Sequence, residues 1–185
     1  MPAEPLPTFK YHPDPLATGS VEKSDDECAC CGQTRGYVYT GPAFGEEYDD
    51  EPICPWCIAD GRAHEELGVT FHDEAAIPGS DFTGAPDVRE AVIAEVSQRT
   101  PGFTAWQQEQ WFTCCADAAA FMGRAGRKEL KSLYPEAIES LRENHGLDGE
   151  EWEEIYEALE RDGSPTAYVF KCLHCGKYGA YYDND

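Results

Sequence analysis

The sequence predicts an α+β fold, with an N-terminal zinc ribbon and a C-terminal zinc-knuckle hairpin bracing a central helical region. Three observations carry this expectation. Cys28-Ala-Cys-Cys31-Gly is followed by Cys54-Pro-Trp-Cys57-Ile, with 22 residues from Gly32 to Ile53 between the two pairs. Apolar residues then recur at helical spacing in several stretches between Ala85 and Glu160. Finally, Cys172-Leu-His-Cys175-Gly sits between the β-rich runs Tyr168-Val-Phe170 and Tyr178–Tyr182. The expected division is an extended segment plus ribbon over 1–62, a mainly helical region over 63–163, and strand, knuckle, strand over 164–185, all in one compact domain.

Taken in order, residues 1–23 hold five prolines and no helical periodicity. They read as an extended segment laid across the domain, with Phe9, Tyr11 and Leu16 as apolar anchors. In the ribbon, Gly36-Tyr-Val-Tyr-Thr40 is β-rich and ends at Gly41-Pro42, and Glu46–Glu51 forms an acidic return toward Cys54. Residues 63–84 read as loop, with Pro78-Gly79 and Gly84 as breakers. A helix is expected from Ala85, with Pro86-Asp87 in its first turn and Val88, Val92 and Val96 on one face. Arg99-Thr-Pro-Gly102 interrupts it. A second helix is expected from Thr104, carrying Trp106, Gln110, Trp111, Cys114, Cys115 and Phe121, until Gly123 and Gly126 end it. A short helix over Lys128–Leu133 precedes one with Pro135 in its first turn, running through Glu143 and closed by His145-Gly146. Asp148 is placed to cap a last helix, with Trp152, Ile155, Tyr156 and Leu159 at i, i+3, i+4 and i+7.

The bulk numbers exclude several classes. The chain has 185 residues, and its four Trp, ten Tyr and eight Phe supply a real core. With 36 Asp+Glu against 14 Lys+Arg, the net charge is −22. Nucleic acid and anionic membranes are therefore not expected partners, because phosphate recognition needs clustered cations. A cationic protein is the partner such a surface favours, and long-range attraction would speed the encounter. Acidity with only six lysines also fits a chain adapted to a saline cytosol. The opening MPAEPLPTFK does not read as a signal peptide, and no apolar run is long enough to span a bilayer. Nine cysteines, most in CxxC pairs, then read as metal ligands in a cytoplasmic protein, not as disulfides.

Cys28, Cys31, Cys54 and Cys57 are the first candidate zinc site. Each CxxC turn presents two sulfurs on one side, and a tetrahedral ion closes the two turns together. Cys30 is a spare. A redox reading of Cys54-Pro-Trp-Cys57 needs a preceding strand and a βαβ context, and neither is visible. The second candidate set is Cys115, Cys172 and Cys175, with Cys114 or His174 as fourth ligand. Two zinc ions are thus expected. His12, His64, His72 and His145 are scattered, and neither HExxH, a deaminase pattern, a P-loop, GxSxG nor GxGxxG appears. Trp106, Gln107, Gln108, Glu109 and Trp111 put aromatics beside amides, which core packing accounts for more readily than a recognition pocket. The candidate partner surface is acidic: Glu46, Glu47, Asp49, Asp50 and Glu51 in the ribbon, and Glu150, Glu151, Glu153, Glu154 and Glu157 on the last helix.

Five stretches together resemble a known family. They are Phe9–Ser20, Cys31-Gly with Arg35–Pro42, Cys54–Gly61, Arg99-Thr-Pro-Gly-Phe with Trp106-Gln-Gln-Glu, and Cys172–Gly176. In this order they resemble the CbrC family of bacterial cytoplasmic proteins, over nearly the whole chain. The resemblance implies tolerance to a DNase-type colicin, and hence an immunity-like factor. The functional expectation is a non-catalytic, acidic, zinc-binding interaction protein that neutralises a cationic nuclease toxin. Its alternatives are a metalloenzyme built on an incomplete second zinc site, with Asp117 or His174 nearby, and a scaffold whose charge reflects a saline cytosol.

Overall fold

Prolines keep the first stretch of chain out of regular structure, so it can serve only as a strap held by its side chains. The computed structural model describes residues 4–78 and 88–185. In it Phe9 and Tyr11 are buried as anchors, whereas Leu16, expected to be a third, is exposed. The strap ends in β1 (Val21–Lys23), which pairs antiparallel with β2 (Tyr37–Tyr39). The acidic return does not form the partner strand. The chain after it comes back beside β2 and the Cys28 turn through single backbone bonds, Tyr39 N–H to Ile53 O at 2.8 Å and Ala29 N–H to Pro52 O at 2.8 Å.

Short helices occupy the end of the ribbon and the start of the 63–84 stretch expected as loop. Pro55 sits at the first turn of α1 (Pro55–Ala59), where its missing N–H costs nothing. Next comes α2 (Arg62–Leu67), bounded by Gly61 and Gly68, both left-handed. Six residues give too few apolar positions to register as a period, which is why this helix escapes a pattern reading. The helix expected from Ala85 is seen as α3 (Glu90–Arg99). Ala85, Pro86 and Asp87 lie outside the described residues. Val88, Val92 and Val96 are all buried, as their spacing implies.

The largest correction falls between Thr104 and Gly126. No helix forms there. Residues 101–112 are an irregular strap, followed by the two-residue strands β3 (Thr113–Cys114) and β4 (Asp117–Ala118), then β5 (Ala120–Ala125). Cys115 and Ala116 both have φ of +56°, so the chain reverses tightly where a helix would continue. Phe121, expected on that helix, is a buried residue of β5, and Gly123 sits within β5 without ending anything. This strand joins β6 (Thr166–Lys171) and β7 (Tyr178–Asp183) in an antiparallel sheet of order β5-β6-β7, with a bulge between Phe121 and Gly123. The C-terminal hairpin is thus two strands of a three-stranded sheet.

That sheet is buried on both faces. Phe121, Tyr168, Phe170 and Tyr181 point into a central aromatic cluster with Phe103 and Trp111. Ala125, Ala167, Val169 and Ala180 face a second cluster formed by Leu130, Leu141, Trp152 and Leu159. Those come from α4 (Arg127–Leu133), α5 (Ala137–His145), α6 (Gly149–Ala158) and the residue after it. Pro135 stands just before α5, not within its first turn, and Asp148 occupies the N-cap of α6 without a side-chain capping bond. A third cluster, with Ile53, Trp56, Ile58 and Phe71, surrounds the first cysteine group. Among the described residues, no helix is long and apolar enough to cross a membrane.

Candidate metal centres

Cys28 and Cys31 lie on the turn after β1, and Cys54 and Cys57 on the entry into α1. The fold brings all four sulfurs within 4.8 Å of one another. Sγ–Sγ distances are 3.8 Å for Cys28–Cys57, 3.8 Å for Cys31–Cys54 and 3.5 Å for Cys54–Cys57. A tetrahedral zinc with Zn–S of about 2.3 Å sets sulfurs ~3.8 Å apart, so the spacing fits the ion. Cys28, Cys54 and Cys57 are buried and Cys31 half-buried. Cys54 N–H donates to Cys28 Sγ at 3.2 Å, and hydrogen bonding from the Cys54 side holds the Cys28 thiol well below its ordinary range, favouring a thiolate there. Cys30 stays out of the group; its thiol points to Glu66 Oε2 at 3.6 Å.

Cys114, Cys115, Cys172 and Cys175 form the second group, also within 4.8 Å. Cys114 Sγ is 3.7 Å from both Cys115 Sγ and Cys175 Sγ. Adjacent cysteines can face one point because they sit on the β3–β4 reversal, not on a helix. Cys172 is buried, Cys114 half-buried, and Cys115 and Cys175 exposed. Burial raises the Cys172 thiol, but N–H groups of Cys175 and His174 outweigh it and bring it down to about 6. The structure thus places Cys114 with the other three cysteines. His174, the other candidate for the fourth position, has its Nε2 on Asp117 Oδ2 at 2.8 Å.

Asp117, expected only as a neighbour of an incomplete second zinc site, is instead a hydrogen-bonding node. Its buried carboxylate accepts from Tyr11 Oη at 2.6 Å, Lys10 Nζ at 2.9 Å and His174 Nε2 at 2.8 Å. Burial raises its pKa, but these three donors outweigh burial and hold the carboxyl at about 2. The knot fastens the N-terminal strap to the second cysteine group. His12 is a second such fastening: Nδ1 bonds Pro101 O at 2.7 Å and Nε2 meets Thr18 Oγ1 at 2.6 Å. A carbonyl only accepts, so Nδ1 carries the proton and Thr18 donates to Nε2. The only sequence hint of either was that Lys10, Tyr11, His12 and Thr18 share one proline-rich stretch.

The acidic candidates Glu46, Glu47, Asp49, Asp50, Glu51, Glu150, Glu151, Glu153, Glu154 and Glu157 are all exposed. Glu157 is already engaged with Arg127, 2.6 Å away. Of the scattered histidines, His72 is fully buried with neither ring nitrogen hydrogen-bonded among the described residues. Trp106 is exposed and Trp111 buried, so only the second behaves as core.

Comparison with known proteins fixes the lineage. The model of an uncharacterised protein family, UPF0167, matches residues 6–184. UPF0167 protein PA1536 of Pseudomonas aeruginosa is 44% identical over 182 residues, covering 98% of this chain and 97% of that one. UPF0167 proteins Mb2317 of Mycobacterium bovis and MT2352 of Mycobacterium tuberculosis are each 48% identical over 182 residues, covering 96% of this chain and 93% of theirs. No solved structure matches the chain. These matches overturn the CbrC resemblance: the shared words along the chain carry the UPF0167 name, and the colicin-tolerance role implied by the other family falls with it. The chain belongs to the UPF0167 family.

Proposed function

We propose that this protein is a non-catalytic, acidic interaction protein whose fold is held by two structural zinc ions, each on four cysteines. The observation that carries the reading is the pair of four-sulfur groups, each spaced for one tetrahedral ion. Four soft thiolates favour zinc among the ions such a site meets. A fourth cysteine at the second group also argues against the metalloenzyme alternative, since a catalytic zinc keeps one position open for water or substrate. Native mass spectrometry of the intact chain tests the reading. Two zinc ions per chain are expected; one or none would sink it.

The partner proposed for this scaffold is a cationic protein. Support comes from the −22 charge and from the exposure of both acidic stretches. A chain with Glu150, Glu151, Glu153 and Glu154 changed to Lys, and likewise Glu46, Glu47 and Asp49, is expected to lose salt-sensitive binding to a basic probe such as lysozyme. Binding that survives charge reversal would leave the acidity to solubility or to a saline cytosol.

A further inference from the structure

One part of the molecule is explained by neither metal group nor acidic surface. Between the 101–112 strap and β7 lies a cleft of about 720 Å³, a size typical of small-molecule sites. Six of its residues matter here: Gln107 and Gln110 from the strap, His145 from the end of α5, and Tyr181, Tyr182 and Asp183 from β7.

Their hydrogen bonds define what the cleft offers. Tyr182 N–H donates to His145 Nε2 at 3.0 Å, which puts the ring proton on Nδ1. The His145 and Tyr182 rings lie 4.0 Å apart and form one aromatic wall. Gln110 N–H donates to Tyr181 Oη at 3.1 Å. Burial, with the Asp183 charge adding to it, keeps that phenol protonated, so it retains its own hydrogen to give.

Asp183 is the anomaly. It is 7% exposed, and its Oδ2 accepts one N–H, that of Gln107, at 3.1 Å. Its Oδ1 is buried with no hydrogen-bond partner among the described residues. No lysine or arginine is among the cleft's described lining residues. The Tyr168 phenol also lies beside this carboxylate, so its donors are neutral, and a buried carboxylate with neutral donors alone and no counter-charge is costly. The missing complement is therefore a positively charged N–H donor.

We propose that this cleft binds a small, flat organic cation of the amidinium or guanidinium class, with its N–H groups on Asp183 and its face against the His145 and Tyr182 rings. Cations are attracted to the face of a tyrosine ring, and the strongly negative chain raises their local concentration.

Benzamidine is the probe, titrated calorimetrically into the full zinc-loaded chain, with benzamide as the uncharged isostere and benzoate as the anion. Benzamidine is expected to bind, benzamide at least about tenfold more weakly, and benzoate not at all. Asp183→Asn should bring benzamidine down to the level of benzamide. Gln110→Lys places a tethered cation on an exposed residue of the same cleft and should also weaken benzamidine severalfold. No binding of benzamidine, equal binding of benzamide, or undiminished binding by a folded Asp183→Asn chain would overturn the proposal. If Asp183→Asn does not fold, Gln110→Lys decides, and unchanged affinity there overturns it equally.

Discussion

The two cysteine groups have the same four ligands and nearly the same sulfur spacing, yet they stand in opposite surroundings. Three of the four sulfurs in the first lie inside an apolar cluster with Ile53, Trp56, Ile58 and Phe71. In the second, two of the four cysteines are exposed, and the neighbours are the polar knot of Asp117, Lys10 and His174. The first is therefore part of a core. An ion there would replace the apolar packing that a short ribbon cannot supply. The second is a clasp: it pins the β3–β4 turn to the β6–β7 turn at one end of a sheet that is already packed on both faces.

Cysteine replacement should separate these roles most widely. Zinc contributes about 10–16 kcal/mol to small four-ligand sites, comparable to the whole stability of a domain. Cys57→Ser is expected to drop zinc from two ions to one and to unfold residues 21–71, seen as lost near-ultraviolet dichroism from Trp56. Cys175→Ser should also cost one zinc, but only roughly 1–3 kcal/mol, with the aromatic signal of the sheet intact. Equal collapse in both variants would erase the distinction between core and clasp.

Exposure should also set the order of metal loss. A chelator reaches the Cys115 and Cys175 sulfurs directly, whereas Cys28, Cys54 and Cys57 become accessible only when their cluster opens. Zinc release to a colorimetric chelator is expected in two equal phases, the slower by about tenfold or more, a barrier difference of about 1.4 kcal/mol. Cys175→Ser should remove the fast phase alone. A single phase would mean that the two groups open together.

Much of this contrast was readable from residues and much was not. The CxxC spacings mark the cysteines because the chemistry needs two sulfurs per turn, and that requirement is local. The faces of α3 and α6 were legible for the same reason, since Val92, Val96 and Trp152 repeat at a helical period. The stretch from Thr104 to Gly126 was misread because what decides it is remote. Ala120–Ala125 become a strand only through β6, some 50 residues on, and after a reversal at Cys115-Ala116 that no glycine announces. Asp183 was invisible as a site, and Asp117 was marked only as a neighbour of the second cysteine group, because their significance lies in partners gained or lacking in three dimensions.

Acid should weaken the junction beside the first group. Burial lowers His12 to about 4 and His72 to about 3. The unfolded chain takes up both protons below about pH 6.5 and the folded chain does not, so stability falls as pH drops from 6.5 through 4. Each unit of depression is about 1.4 kcal/mol, which makes the joint loss roughly 6 kcal/mol by pH 4. His72 follows Phe71 of the first cluster and packs edge-on against Trp111, ring centroids 5.0 Å apart. His72→Phe is expected to keep two zinc ions at neutral pH and to flatten the pH dependence of the urea midpoint. An unchanged slope would remove His72 from the account and leave the acid sensitivity to His12 or the thiolates.

The smallest expected effect probes the clasp itself. Cys115 and Ala116 are both left-handed, at φ of +56°, and each non-glycine residue there costs roughly 1 kcal/mol. Cys115 must keep its sulfur, but Ala116 carries nothing except a methyl group. Ala116→Gly removes that strain and adds back some freedom to the unfolded chain, which offsets part of the gain. The net expectation is a few tenths to about 1 kcal/mol, read as a severalfold tighter zinc at the second group in competition with a chelator, with the first group unmoved. Gly176 holds the equivalent left-handed position after Cys175, φ +74°, and a methyl added there meets no atom within 4 Å. Gly176→Ala therefore tests backbone strain without steric clash, and it should weaken the same zinc by a similar factor. If the two substitutions move zinc affinity in the same direction, strain in these turns is not what limits the clasp.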